Sequence, residues 1–131
     1  MNLIAISINH RTASVDLRDA VHLKEDEIRP FINLAKENQI KEGLILSTCN
    51  RTEIFGIPNS TETNHEKFQS LLLNFKPSQN ITEQHFQKYV SKDAIKHLFS
   101  VATGIDSLLV GDNQVFKQVK DSFQIAEETN F

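Results

Sequence analysis

Hydrophobic residues recur along the chain in two periods. Leu3-Ile4-Ala5-Ile6-Ser7-Ile8 is a nearly continuous apolar run rich in Ile, the pattern of a central strand covered on at least one face. It ends at the polar group Asn9-His10-Arg11-Thr12. From Asp16 the period lengthens, with Leu17, Ala20 and Val21 on one helical face. After the acidic start Glu25-Asp26-Glu27, the residues Ile28, Phe31, Ile32 and Ala35 recur at i, i+3, i+4 and i+7. Pro30 must lie near the first turn of that helix or kink it. A polar connection from Glu37 to Glu42 leads to two strand patterns, Gly43-Leu44-Ile45-Leu46 and Thr52-Glu53-Ile54-Phe55-Gly56-Ile57. Phe68, Leu71, Leu72 and Phe75 repeat the helical spacing, introduced by Thr63 and Glu66 in the manner of a capping box and stopped before Pro77. Phe86-Gln87-Lys88-Tyr89-Val90 alternates as a fourth strand.

The order strand, helix, strand, strand, helix, strand predicts an α+β, ferredoxin-like sandwich: a βαββαβ antiparallel sheet with helices on one face. Additional C-terminal helices extend it. Ser91 is placed to cap a helix whose stripe is Ile95, Leu98, Phe99 and Ala102, ending at Gly104. Residues 104–112, apolar in the middle and bracketed by glycines, read as a packed connection. From Asn113 a last helix carries Val115, Phe116, Val119, Phe123 and Ala126, with Asp112 placed to cap it. No closing signal follows, so a longer parent chain is expected.

Composition narrows the class. The 131 residues suit one domain, 1–131, and 39% hydrophobic with 24% charged residues fits a globular protein. Nine Phe and no Trp predict a core of Phe and aliphatic side chains. A net charge of −3 without a Lys/Arg run gives no electrostatic footprint for nucleic acid. One cysteine cannot form an internal disulfide, and no stretch has the length of a membrane span, so a reducing, cytoplasmic setting is expected. Glycine-rich phosphate loops are absent, leaving no visible seat for a nucleotide. The five histidines show no metal-ligand spacing, so no metal is expected.

The candidate chemistry lies in Ser47-Thr48-Cys49-Asn50-Arg51, at the junction of two strands. Asn50 tolerates the left-handed backbone of tight turns, and Arg51 places a cation two residues from the sulfur, which favours a nucleophilic thiolate. Against that, a free cysteine is more often a small buried hydrophobe. His10 reads equally as a site residue at a strand end or as a loop residue. His97 falls roughly 200° from Ile95 at about 100° per residue, which predicts a solvated position off the core stripe.

Three separated motifs resemble the N-terminal catalytic domain of the glutamyl-tRNA reductase family. They are Asn9-His10-Arg11-Thr12-Ala13, Ser47-Thr48-Cys49-Asn50-Arg51-Thr52-Glu53, and His97-Leu98-Phe99 through Gly104-Ile105-Asp106-Ser107 to Gly111-Asp112-Asn113-Gln114 and Gln118-Val119-Lys120. The resemblance implies an oxidoreductase of tetrapyrrole (porphyrin, heme) biosynthesis. In it Cys49 attacks the ester of glutamyl-tRNA to give a thioester, which NADPH reduces to glutamate-1-semialdehyde. It implies His97 as a catalytic group near the reacting carbon, reversing the geometric expectation, and Arg51 as the holder of the substrate carboxylate. Thr48, Asn50, Ser107, Asp112, Asn113 and Gln114 would line the glutamyl pocket, with His10 and Glu53 in support.

By the same resemblance, an NADPH-binding domain and a helical dimerisation domain belong to the complete enzyme, a homodimer, and are absent from residues 1–131. Glutamate-1-semialdehyde aminomutase would be its partner, with no membrane involved. Ser14, Thr103, Asp112 and Lys117 depart from the family's pattern of Pro, Ser, Glu and Gly. The competing expectations are a ferredoxin-like RNA-binding or regulatory module, and a cofactor-free cysteine esterase using Cys49 and His97.

Overall fold

The computed structural model describes residues 2–106 and 113–131, the side chain of Asn113 excepted. Its elements run β1 (Ile4–Asn9), α1 (Val15–Val21), α2 (Glu25–Glu37), β2 (Ile40–Ser47), β3 (Arg51–Pro58), α3 (His65–Phe75), a 3₁₀ turn (Glu83–His85), β4 (Gln87–Val90), α4 (Ser91–Ala102) and α5 (Asn113–Glu128). The strands form one antiparallel sheet in the order β2-β3-β1-β4. That is the expected ferredoxin-like arrangement: each helical crossover joins parallel strands, and a third strand fills the gap between them.

The residue period of two divides this sheet into unlike faces. Ile4, Ile6 and Ile8 of β1 point the same way as Ile45 of β2 and Ile54 of β3, and join Val21, Phe31, Ile32, Phe68 and Leu72 in the main core under α1, α2 and α3. Gly43 and Gly56 pair across β2 and β3, where a Cβ on Gly56 would come within 2.7 Å of Ile40 and 2.9 Å of the Phe68 ring. Their lack of side chains lets the rings of Phe68 and Phe131 approach the backbone.

The opposite face carries Ala5, Ser7 and Asn9, Leu44 and Leu46, and Arg51, Glu53 and Phe55. It is covered rather than solvated: Ala94 and Ala126 pack on Ala5, Leu44 and Phe55, while Val101, Val115 and Val119 pack on Leu46. The C-terminal helices therefore cover the second face, and the sheet lies between two helical layers rather than beneath one.

Local signals differ from expectation in several places. One helical stretch becomes two, because α1 ends at Val21 and α2 restarts at Glu25. Pro30 sits inside α2, where its missing N–H leaves the Asp26 carbonyl without its usual donor. The cap of α3 is Asn64, whose side chain accepts from Lys67 N, rather than a Thr63/Glu66 box. Val90, without a side-chain cap bond, occupies the N-cap of α4, and Ser91 is its first residue, at φ 48°. β2 begins at Ile40, taking in half of the predicted polar connection. The glycine-bracketed connection lies mostly outside the described residues, as does the proposed cap Asp112.

Candidate functional site

Thr48, Cys49 and Asn50 form the tip of the β2–β3 hairpin. Thr48 N donates to Arg51 O at 2.7 Å, and Asn50 N donates to the Thr48 hydroxyl at 3.1 Å. Asn50 is not among the residues with positive φ, so the turn is closed by the threonine hydroxyl and not by a left-handed asparagine. Two neighbours brace the tip. His10 N donates to Asn50 O at 3.0 Å. From the α1–α2 link, Leu23 N donates to Ser47 Oγ at 2.9 Å, and His22 Nδ1 lies 3.1 Å from that oxygen and 3.2 Å from Thr48 O.

Cys49 is exposed, which overturns the packing reading. It opens on a cavity of about 80 Å³ lined by Thr48, Cys49, Asn50, Arg51, Gln114, Val115 and Gln118. Five of the predicted site residues thus meet around one small space.

Behind the tip, cross-strand register assembles a buried polar row. Ser7 stands opposite Glu53, and Asn9 opposite Arg51. Glu53 is fully buried and its Oε2 gathers three donors: Ser7 Oγ at 2.5 Å, Arg51 at 3.0 Å and His97 Nε2 at 2.6 Å. Asn9 donates to Ser7 Oγ and to Gln87 Oε1, and the Tyr89 hydroxyl donates to the same Gln87 oxygen. Three charge-assisted bonds on one oxygen fix both the arginine and the imidazole.

His97 is therefore buried, contrary to its angular position on α4. The 200° offset from Ile95 is real, but α4 lies on the second face of the sheet and turns that side inward. Tyr89 stacks on the imidazole at 4.2 Å and 13°, with Phe55 beyond at 6.3 Å. Burial, then the carboxylates of Glu53 and Asp106, push the Tyr89 phenol up, so it stays a neutral donor. His97 lines a second cavity of about 420 Å³ with Tyr89, Lys96, Ser100 and Asp106, and not the cavity of Cys49.

Arg51 lines the cavity of Cys49 and is tied to Asp106, which lines the other. It is 2% exposed, and besides Glu53 it bonds Asp106 Oδ2 at 3.0 Å and Asp106 O at 2.6 Å. The isolated cation expected beside the sulfur is instead balanced by two carboxylates. Arg11 reaches the other Asp106 oxygen at 3.3 Å. Near this cluster the pKa of His10 is lowered, first by burial and then by Arg51 and Arg11, against a smaller opposing pull from Asp106.

Ser107 and Asp112 lie outside the described residues, as does the side chain of Asn113. The residues that sequence reasoning missed are Ser7, Tyr89, Asp106, Gln118 and His22. Ser7 had a signal, a polar residue alternating with isoleucines in β1; Asp106 had none beyond its place in a motif. Among the described residues there is no metal-binding group of His, Cys, Asp or Glu, and no helix long and apolar enough to cross a membrane.

Fold and site together define a cysteine-bearing ferredoxin-like domain whose thiol stands at a braced hairpin tip above a buried Arg–Glu–His network. The family described as glutamyl-tRNA(Glu) reductase, N-terminal domain, matches residues 6–131, so the chain belongs to that family. It is 36% identical over 130 residues to a glutamyl-tRNA reductase of Chlorobium limicola, covering 98% of this chain and 31% of that protein. To the glutamyl-tRNA reductase of Staphylococcus saprophyticus it is 40% identical over 134 residues, covering 98% and 29%. The solved glutamyl-tRNA reductase of Methanopyrus kandleri shares the fold, with a TM-score of 0.78 at 22% identity, covering 98% of this chain and 29% of that one. The chain thus spans about three tenths of the length of these relatives.

NADPH, the reductant that the resemblance implies, does not fit the described residues. Gly43 and Gly56 are packed against phenylalanine rings inside strands, and Gly104, at φ 79°, closes α4. None opens a strand-to-helix turn whose amides could cradle a pyrophosphate.

Proposed function

We propose that this chain is the glutamyl-accepting part of a glutamyl-tRNA reductase acting in tetrapyrrole synthesis. The Cys49 thiolate attacks the carbonyl carbon of the ester joining glutamate to tRNA. A C–S bond forms, the C–O bond to the terminal ribose breaks, and the leaving oxygen takes the proton that the thiol released to solvent. His97, which lines the other cavity, acts as a positioning residue by holding the Glu53 carboxylate that fixes Arg51. Arg51 meets the substrate carboxylate, while Thr48, Asn50 and Gln114 line the space around it.

Reduction of the thioester to glutamate-1-semialdehyde with NADPH, homodimer formation and transfer of product to an aminomutase are assigned to the longer enzyme, which we place in the cytoplasm. The isolated chain then captures the glutamyl group without reducing it. The observation that carries this reading is the exposed Cys49 at a tip braced by His10, His22 and Ser47, in a chain of this family. A rigid neighbourhood suits a nucleophile, because attack demands close placement.

Incubation with glutamyl-tRNA followed by intact-mass measurement should reveal a glutamyl adduct on Cys49. In Cys49→Ser the adduct should fall below detection. Labelling that persists in the serine variant would remove Cys49 from the nucleophile role.

A further inference from the structure

Arg51 borders the cavity of Cys49, yet every anion it needs is already supplied from within the chain. A substrate carboxylate would be a third anion around one guanidinium, and charge balance is kept when it replaces one of the two already there. Glu53 cannot leave: it is fully buried and is also held by Ser7 and His97. Asp106 differs. It is 16% exposed, it follows the last turn of α4, and its second carboxylate oxygen already faces the solvent-accessible guanidinium of Arg11. Its main-chain carbonyl also bonds Arg51, so the arginine keeps one tie when the carboxylate moves.

Resting on the glutamyl-acceptor reading, we propose that Asp106 is the specificity-determining residue of the pocket, an internal carboxylate on Arg51 that only another carboxylate can replace. A glutamyl group exchanges charge for charge, and Asp106 stays with Arg11. A glutaminyl group offers a neutral carboxamide, which would take the place of a carboxylate on Arg51 without returning its charge and leave the guanidinium with Glu53 alone. Losing one partner of a buried pair costs far more than exchanging it. The Arg51–Asp106 pair therefore rejects the amide by the same contact that admits the acid.

The test uses the 131-residue chain and two stable probes, isoglutamine (glutamate 1-amide, free side-chain carboxylate) and glutaminamide (side-chain carboxamide). The readout is protection of Cys49 from iodoacetamide. In the unaltered chain isoglutamine should protect and glutaminamide should not.

In Asp106→Asn the half-protecting concentration of isoglutamine should fall by about tenfold, since the competent form of Arg51 is no longer masked. Glutaminamide should begin to protect. Arg11→Gln should act in the opposite sense, raising the isoglutamine requirement severalfold by removing the resting place of Asp106, and it decides the matter if Asp106→Asn fails to fold. An unchanged or raised requirement in Asp106→Asn would overturn the proposal while leaving the glutamyl pocket intact. Protection by isoglutamine in no form of the chain would overturn the pocket and the proposal together.

Discussion

The two faces of the sheet are built from the same three strands and differ by one residue in phase. On one, Ile4, Ile6, Ile8, Ile45 and Ile54 meet α1, α2 and α3 in a dry aliphatic layer. On the other, the same strands present Ser7, Asn9, Arg51 and Glu53, buried as deeply as the isoleucines. The dry face draws its stability from many small, replaceable contacts, and tolerates adjustment of shape. The polar face depends on a few bonds that converge on Glu53 Oε2, while the buried Oε1 of the same carboxylate has no partner among the described residues, and an unmet charge there has no water to turn to. The chemistry sits on the second kind of face, at the end where β1 and β3 deliver Asn9 and Arg51 beside the hairpin tip.

Removing Glu53 should expose this difference most sharply. Glu53→Ala leaves Arg51 with a single carboxylate, and the Ser7 hydroxyl and His97 Nε2–H without their acceptor. A loss of roughly 3–5 kcal/mol is expected in urea unfolding followed by circular dichroism. On the dry face, Ile6→Val removes one methylene beside the same strand position and should cost only about 1 kcal/mol. The Glu53→Ala/Ile6→Val double variant should show the simple sum, since the two side chains share no partner. A Glu53→Ala loss no larger than that of Ile6→Val would mean the network contributes little, and the contrast between the faces would collapse.

The dry face was legible in the sequence, and the polar one only in part. Periods of two and 3.6 in Ile, Leu and Phe located the strands, α2 and α3, because burial of one face imposes that spacing directly. In α4 the expected stripe of Ile95, Leu98, Phe99 and Ala102 is not the buried side: Ala94, His97 and Val101 are buried and Phe99 is exposed. The pentapeptide around Cys49 stood out for its polarity between strands. By pattern its partners did not, and Glu53 and His97 entered only through the family resemblance, because they and Ser7 meet through cross-strand register and the covering of a second face by α4. A helical wheel drawn from Ile95 put His97 on a solvated side of α4, whereas it lies with Ala94 and Val101 on the side that packs against the sheet. Asn50 was expected to supply the turn's backbone freedom, and the Thr48 hydroxyl closes it instead. Asp106 escaped notice because its role rests on the position of an arginine fifty-five residues away.

The smallest expected effect concerns His10, which directly follows β1. Its Nδ1 is buried without a hydrogen-bond partner among the described residues. Burial, then Arg51 and Arg11, hold its folded-state pKa below the ordinary value of 6.5. Above that value the imidazole is neutral in the folded and unfolded chain alike, and contributes no pH dependence. As pH falls through 6.5 the unfolded chain takes up the proton first, so stability declines until the folded-state pKa is reached. Urea midpoints measured between pH 8 and pH 5 should fall toward acid in the native chain and fall less steeply in His10→Gln. Identical slopes would show that the half-buried imidazole is not set against its arginine neighbours, and would assign any acid sensitivity there to other titrating groups.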